Sequence, residues 1–137
     1  MRKLTTLMAL TMLAACGSSY SSDITGTTLS NLAGTYDLMT VNGSGLPMMV
    51  QASNPKIELV SERIVVNANG TFTVTTNRRN TTTAGAVTTN TLTDAGTFGS
   101  SGSATTFHFN SGTTATATMS GNTLTLVAPT STSVYTR

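Results

Sequence analysis

The only cysteine of the chain, Cys16, is the residue whose type and position most clearly indicate chemistry, because a thiol is a nucleophile that can take up an acyl or alkyl group. It ends the tetrapeptide Leu13-Ala14-Ala15-Cys16, which follows a basic start, Met1-Arg2-Lys3, and an apolar run from Leu4 to Ala15. A basic segment, a short apolar segment and small residues before a cleavage point are typical of a secretion signal. A membrane-spanning helix needs about 20 apolar residues, which is more than this run contains. Residues 1–15 are therefore predicted to be a signal peptide.

The tetrapeptide resembles the lipobox of bacterial lipoproteins. The resemblance implies that the sulfur of Cys16 is diacylated and that cleavage leaves Cys16 as an acylated N-terminus. Each buried CH₂ contributes about 0.8 kcal/mol, so two or more acyl chains hold a protein on a membrane where one does not. Gly17 is not the aspartate associated with inner-membrane retention, which favours a lipid-anchored protein of the bacterial outer membrane. The alternative is a plain secretory signal, with Cys16 as a buried residue or a disulfide partner.

The mature composition excludes nucleic acid as a partner. Cleavage before Cys16 would leave 122 residues with five basic and five acidic side chains, so the basic isoelectric point belongs to the signal. There is no cationic face and there are few aromatic rings on which bases could stack. We interpret the adjacent pair Arg78-Arg79, between Asn77 and Asn80, as a solvated strand end or loop rather than as a phosphate site.

No catalytic constellation is recognisable in the sequence. The single histidine, His108, lies between Phe107 and Phe109 and is therefore predicted to point away from an apolar face as an exposed strand residue. One histidine, and no thiol left after acylation, exclude Cys/His catalysis and a multi-histidine metal site. The mature acidic residues of the predicted domain are scattered: Asp37, Glu58, Glu62 and Asp94. We therefore predict no catalytic residue, no metal, no cofactor and no enzymatic activity.

Residues 16–31 are predicted to be a lipidated flexible tether, since they are polar and show no hydrophobic period. Such a segment places the following domain roughly 20 Å from the lipid. Residues 32–137 are rich in threonine and valine, with apolar residues at alternate positions and no helical period, which predicts strands. The predicted strands are 34–42, 56–68, 71–78, 85–92, 96–99, 105–109, 113–119, 123–127 and 133–137, with 48–51 as a further short one.

The lengths of the turns follow from the requirement that apolar side chains share one face. Loops at 68–70, 110–112 and 121–122 satisfy it, and they pair Val66 with Phe72, Phe107 with Ala115 and Met119 with Leu124. Gly70 is then the left-handed residue of a bulged turn. The opposite face carries His108 and a series of threonines, as a water-facing surface requires.

A sheet with one apolar face and no helix to cover it must close on itself or pair with a second sheet. Short connections indicate antiparallel neighbours. We therefore predict an all-β fold, a single antiparallel up-and-down β-barrel of about eight strands, because closure also removes the exposed edges. A two-sheet sandwich is the alternative that the same pattern permits.

The order of several short motifs resembles the small bacterial lipoproteins that carry a lipocalin-like domain. These motifs are Leu32 to Leu38, Val41-Asn42-Gly43, Asn67 to Phe72, Asp94 to Phe98, Ser120 to Leu124 and Val134 to Arg137. In lipocalins the first strand carries Gly-x-Trp, and an arginine from near the end of the barrel packs across the indole; here Gly34-Thr35-Tyr36 has tyrosine instead. The resemblance implies that Arg137 covers the Tyr36 ring as a structural plug, and that the barrel holds a small apolar ligand.

Two functions are compatible with these features, and we expect a monomer in both. In the first, the barrel binds a small hydrophobic molecule; the candidate lining residues are Leu38, Ile64, Val66, Phe72, Val74, Phe107, Phe109, Ala115, Ala117, Met119, Leu124 and Leu126. Met48-Met49 either lines the mouth of the barrel or packs at its rim. In the second, the interior is solid and the domain is a module that contacts another envelope protein or inhibits a hydrolase. An internal void of about 300 Å³ or more would favour the first.

Overall fold

The computed structural model describes residues 29–137, so Cys16, the predicted signal peptide and most of the predicted tether lie outside the described residues. Most of the described chain is strand, and one helical turn, α1 (Leu29–Leu32), precedes the strands. The strands are β1 (Gly34–Val41), β2 (Ser44–Gly45), β3 (Met48–Gln51), β4 (Lys56–Val66), β5 (Thr71–Thr81), β6 (Val87–Ser101), β7 (Ala104–Phe109), β8 (Thr114–Ser120), β9 (Thr123–Ala128) and β10 (Ser131–Thr136).

Eight of these strands form a closed antiparallel up-and-down barrel. Strands β4 to β10 pair with their neighbours in chain order, β10 pairs with β1, and β1 pairs with β4 to close the ring. Alternate side chains point into the barrel and the others into solvent, as in the pattern of β8. The predicted fold is thus confirmed, and the sandwich alternative is wrong because one sheet covers its own apolar face.

The predicted registers are also confirmed. Val66 lies opposite Phe72 and Ile64 opposite Val74 across the β4–β5 turn. Phe107 lies opposite Ala115, and Met119 opposite Leu124. Gly70 has a φ of 85°, the left-handed conformation that the three-residue turn requires.

Strand β6 is longer and more continuous than the sequence pattern indicates. The pattern predicts separate strands at 85–92 and 96–99 because the residues between them are turn-forming types, but one strand of 15 residues runs through them. Gly96 is regular strand, paired with Phe72 on one side and Phe109 on the other. A Cβ atom at Gly96 would collide with the carbonyl oxygen of His108 and lie 2.7 Å from Cζ of Phe72. The glycine therefore serves close packing inside the strand rather than a turn.

The helical turn α1 overlaps the end of the segment predicted as tether. Its last residue, Leu32, is almost completely buried and belongs to the barrel core. Leu32, the first residue of the predicted domain, is therefore part of the packed barrel, whereas the sequence pattern did not indicate α1 because four residues are too few to show a period.

The barrel end next to α1, here called the capped end, is filled with side chains. Three phenylalanines form its centre: the ring of Phe107 lies 4.9 Å from that of Phe72 and 5.0 Å from that of Phe98, centroid to centroid. The other buried apolar residues of this half are Leu32, Tyr36, Ile64, Val66, Ala117 and Leu124. Packing of this kind leaves no room for a ligand in the capped half.

Tyr36 and Arg137 close the capped end. The Arg137 guanidinium lies 5.4 Å from the centroid of the Tyr36 ring and donates hydrogen bonds to the Tyr36 hydroxyl (3.1 Å) and to the carbonyl of Ala33 (3.1 Å). The Tyr36 hydroxyl in turn donates to the carbonyl of Leu32 (2.8 Å). Burial raises the pKa of Tyr36, and the nearby Arg137 charge partly offsets this. Arg137 thus covers Tyr36 in the manner that the sequence resemblance implies.

The seam between β1 and β4 is closed at only one end. These strands pair along residues 34–37 and 63–66, where Arg63 donates two hydrogen bonds to Asp37 (2.7 and 3.1 Å) and lowers the pKa of that carboxyl. Beyond this pair the register of each strand shifts, between Leu38 and Thr40 in β1 and between Leu59 and Ser61 in β4. Past these bulges β1 pairs with β2 and β4 pairs with β3. The two bulges therefore mark the level at which the barrel wall opens.

Candidate functional site

The half of the barrel opposite the capped end contains a cavity of about 760 Å³ that opens to solvent, here called the mouth cavity. All eight barrel strands and β3 contribute to its wall. Its apolar lining consists of Val41, Met48, Val50, Leu59, Val74, Leu92, Phe109, Ala115, Leu126 and Ala128. The remaining lining residues carry hydroxyl, amide, carboxylate or guanidinium groups. Cavities of this size and mixed lining are typical of sites for small molecules.

A set of hydrogen bonds in the wall of the mouth cavity joins three strands on the seam side of the barrel. The Tyr135 hydroxyl donates to one carboxylate oxygen of Glu62 (2.6 Å), and the Thr76 hydroxyl donates to the other (2.6 Å). Tyr135 belongs to β10, Glu62 to β4 and Thr76 to β5, and β10 and β4 are the two barrel neighbours of β1, so the contacts lie on the seam side of the barrel. Burial, together with the charge of Glu62, raises the pKa of Tyr135 far above its ordinary value. These bonds connect β10 to β4 and β5 inside the cavity.

The rim of the mouth cavity is uneven because the β5–β6 hairpin is longer than its neighbours. Residues 76–81 of β5 pair with residues 87–92 of β6, whereas β7 pairs with β6 only from Gly96 onward. Leu92, on this projecting part, lines the cavity and is 45% exposed. Met48 and Val50 of β3 line the cavity from the seam side, whereas Met49 is exposed. Of the two alternatives for Met48-Met49, the structure places Met48 at the mouth.

The two adjacent arginines of β5 have different surroundings. Arg79 donates to Glu58 (2.9 Å from Nε), and Glu58 also accepts from Lys56 (3.0 Å); these contacts, Lys56 first, lower the pKa of Glu58. Arg78 instead lines the mouth cavity and is half-buried, with its Nε enclosed and without a hydrogen-bond partner among the described residues. The interpretation of Arg78 as a solvated residue is therefore wrong, because the alternation of β5 turns its side chain to the same face as Val74 and Thr76.

Asp94 is the second carboxylate that lines the mouth cavity. One of its oxygens accepts a hydrogen bond from the Ser111 hydroxyl (2.7 Å), and the other accepts from the backbone N–H of Ala95 (2.8 Å). Ser111 belongs to the turn between β7 and β8, so Asp94 holds that turn against β6. Both carboxylates of the cavity thus have hydrogen-bond donors within the described chain.

The twelve residues predicted to line a ligand site divide between the two halves of the barrel. Val74, Phe109, Ala115 and Leu126 line the mouth cavity. The other eight do not border the cavity and belong to the core or pack against it: Leu38, Ile64, Val66, Phe72, Phe107, Ala117, Met119 and Leu124. The predicted plug residues, Tyr36 and Arg137, lie at the capped end, and Cys16 lies outside the described residues.

The polar residues of the cavity were not assigned from the sequence. Simple alternation predicts that Glu62, Thr76 and Arg78 point inward. Glu62 lies two residues before Ile64 on β4, and Thr76 and Arg78 lie two and four residues after Val74 on β5. Their charge or polarity argued for an exposed position. Leu59 had no such signal, because its inward position depends on the bulge at Val60.

The outer surface opposite the seam carries hydroxyl groups and few titratable ones. His108 is exposed on β7, next to threonines of β8, as its position between two inward-facing phenylalanines predicts. Within residues 29–137, no three side chains of His, Cys, Asp or Glu are grouped so that they could hold a metal ion. No helix in the described part of the chain has the length and apolar character needed to cross a membrane.

Comparisons with known proteins give no relative for this chain: no protein-family model, no curated protein and no solved structure matches it. The barrel and its mouth cavity are therefore the basis for assigning a function.

Proposed function

We propose that this chain is a lipid-anchored protein of the bacterial cell envelope whose lipocalin-like barrel binds a small, largely apolar molecule in the mouth cavity. The observation that carries the proposal is the cavity volume of about 760 Å³, which lies within the range of small-molecule sites, roughly 300–1,000 Å³. A barrel of eight strands is wide enough either to be filled by side chains or to hold one small ligand. This barrel is filled at the capped end and open at the other.

The alternative, a barrel that acts only as an interaction module or hydrolase inhibitor, requires no internal volume. An interior filled throughout would favour it, and the packed half of the barrel is of that kind. The mouth half is different, because ten apolar side chains face the same open volume. Apolar surface kept in contact with water is unfavourable by about 25 cal/mol per Å². A bound apolar molecule would remove that cost, so we favour the carrier.

Filling the cavity tests the proposal. Ala115 points into the cavity and Thr116 points outward from the same strand, so Ala115→Leu and Thr116→Leu place the same side chain on opposite faces of β8. We expect Ala115→Leu to weaken binding of a fluorescent apolar probe by about tenfold, because the leucine side chain would occupy part of the space of the probe and remove its contacts there. Thr116→Leu should leave it unchanged. If neither the original protein nor the control binds the probe, the module alternative is favoured.

The anchoring part of the proposal rests on Leu13-Ala14-Ala15-Cys16. In bacterial cells making the full chain, we expect the protein in the membrane fraction with an added mass equal to its acyl chains. Cys16→Ser should remove both the added mass and the cleavage before residue 16. A Cys16→Ser protein that is still cleaved and released would favour the plain secretory signal. Native mass spectrometry of the original protein from its own envelope extract would identify any retained ligand.

A further inference from the structure

The charged groups of the mouth cavity differ in whether they have hydrogen-bond partners. The Glu62 carboxylate accepts from Tyr135 and Thr76, and the Asp94 carboxylate accepts from Ser111 and from a backbone N–H. Arg78 is the one guanidinium in the lining, and it makes no ion pair with any residue between 29 and 137. The cavity thus contains two acceptors that have donors and one cation that has no acceptor.

The lack of a partner at the Nε atom of Arg78, whose side chain is half-buried, is not explained by exposure of that atom. Its Nε is enclosed, and no hydrogen-bond acceptor lies within reach in the described structure. A polar N–H group removed from water without an acceptor is unfavourable, and more so when the group carries charge. Its neighbour Arg79 has a carboxylate on the outer face, so an unpaired arginine is not general for this part of β5.

The position of Arg78 relative to the apolar lining defines the shape of a ligand that would satisfy it. Arg78 is paired with Leu59 of β4 and Asn90 of β6, two positions toward the rim from Thr76. Deeper in the cavity lie Val74, Ala115 and Leu126, which are buried and apolar. Guanidinium groups bind carboxylate and phosphate oxygens through paired N–H donors.

We propose that Arg78 binds the anionic head group of an amphiphilic ligand whose apolar chain lies in the mouth cavity. The inference rests on the proposed function and adds the chemical class of the ligand: a single apolar chain with a carboxylate or phosphate at one end. The head group lies near the rim, where it keeps contact with water, and the chain extends toward the apolar residues behind it. The carboxylates of Glu62 and Asp94 do not compete for Arg78, because their own donors hold them in place.

The experiment compares ligands that share one chain and differ in the head group. Dodecanoate, dodecyl phosphate, dodecanol and dodecyltrimethylammonium are titrated calorimetrically, below their micelle-forming concentrations and at a pH of about 8, where the carboxylate is ionised. The protein is the mature chain, residues 16–137, made without the signal segment and carrying Cys16→Ser, which keeps all described residues and removes the acylation site. We expect at least one of the two anionic ligands to bind about tenfold or more tightly than dodecanol, as a charge-assisted pair implies. The anion that binds more tightly distinguishes a carboxylate from a phosphate ligand.

Two variants assign the effect to a residue. Arg78→Gln should reduce binding of the preferred anion to the level of dodecanol while leaving dodecanol binding unchanged, which also shows that the variant is folded. Arg79→Gln, next to it on the outer face, should change neither affinity. If Arg78→Gln fails to fold, Arg78→Lys, which retains the charge without the paired donors, serves the same comparison.

The possible outcomes separate this inference from the proposed function. If dodecanol and the anions bind equally, or if the preference persists in Arg78→Gln, the inference is wrong and the cavity remains an apolar carrier site. If the ammonium compound binds most tightly and Glu62→Gln abolishes this, the ligand is cationic and the inference is wrong. If none of the four compounds binds, the proposed carrier function fails as well.

Discussion

At the scale of single residues, Gly96 shows how strongly one position can depend on its surroundings. It lies in the middle of β6, where no turn or unusual φ requires glycine. What requires it is space, because the Phe72 ring and the His108 carbonyl occupy the volume in which a side chain would lie. Such a glycine has the same sequence neighbours as a turn glycine, and the two are told apart only by the tertiary contacts.

Gly96→Ala is therefore expected to destabilise the barrel. The added methyl group would force the β6–β7 backbone apart or displace Phe72, and overpacking of this kind costs about 1–3 kcal/mol or more. Equilibrium unfolding in urea measures the loss. Gly99→Ala is the matched control in the same strand, since nothing lies within 4 Å of its Cβ position. If both variants unfolded at the same urea concentration, the packing explanation for Gly96 would be excluded.

Arg137→Ala is expected to lower the melting temperature by about 2–8 °C, corresponding to a loss of about 0.5–2 kcal/mol. The substitution removes the contact with the Tyr36 ring and the hydrogen bond to Ala33. Lys56→Ala is the control, because it also removes a cation, but its carboxylate partner Glu58 retains Arg79. Thermal unfolding followed by circular dichroism gives both values. An unchanged melting temperature for Arg137→Ala would mean that the plug contributes nothing to stability.

At the scale of elements, the sequence predicted most of the strands and their registers. Alternation alone fixed the pairing of Val66 with Phe72, because a shift of one residue would turn every apolar side chain outward. It did not predict the continuity of β6 through Gly96, since glycine and aspartate indicate turns whenever the neighbouring strands are unknown. The polar part of the mouth cavity was missed for a related reason: Glu62 and Arg78 are inward by alternation but have the polarity of surface residues.

The projecting part of β6 is expected to be the less protected part of that strand. Residues 87–92 pair with β5 alone among the described elements, whereas Gly96 and Thr97 pair with β7 as well. Amides held by one neighbour open at lower free energy than amides within a closed wall. Hydrogen exchange followed by nuclear magnetic resonance should therefore show faster deuterium uptake at the amides of residues 87–92 than at those of Gly96 and Thr97. Equal uptake in the two segments would indicate that another segment covers the free edge.

At the scale of the whole molecule, the barrel combines a packed half with an open half. The aromatic cluster and the plug provide the stability of the capped end, and the hydrogen bonds of Glu62 connect β10 to β4 and β5 in the cavity wall. The open half can therefore keep an unfilled interior without loss of the fold. This division explains why an alternating pattern of apolar residues predicted the barrel but not the volume within it.

The stability of the molecule is expected to fall above a pH of about 10. Tyrosine in the unfolded chain ionises near this pH, whereas the pKa of folded Tyr135 is raised by burial and by the charge of Glu62. The unfolded state then releases a proton that the folded state retains, so the stabilisation is complete below the unfolded pKa and is lost as the pH rises. The slope is at most about 1.4 kcal/mol per pH unit for each such tyrosine. Tyr135→Phe should show a shallower decline in urea unfolding between about pH 10 and 12; an unaltered slope would assign the alkaline transition to other groups, Tyr36 among them.

The confinement of the ion pairs to one side of the barrel has a consequence for the effect of ionic strength. Between Asp94 and Arg137 no residue is an aspartate, glutamate, lysine or arginine, so the outer surface of β7, β8 and β9 carries none of these charged side chains. Added salt weakens attraction between exposed charges over a distance of about 10 Å at 0.1 M. Added salt should therefore weaken the ion pairs of β1, β4 and β5 and leave the threonine-covered strands β7, β8 and β9 unaffected. A salt titration would then destabilise only one side of the barrel.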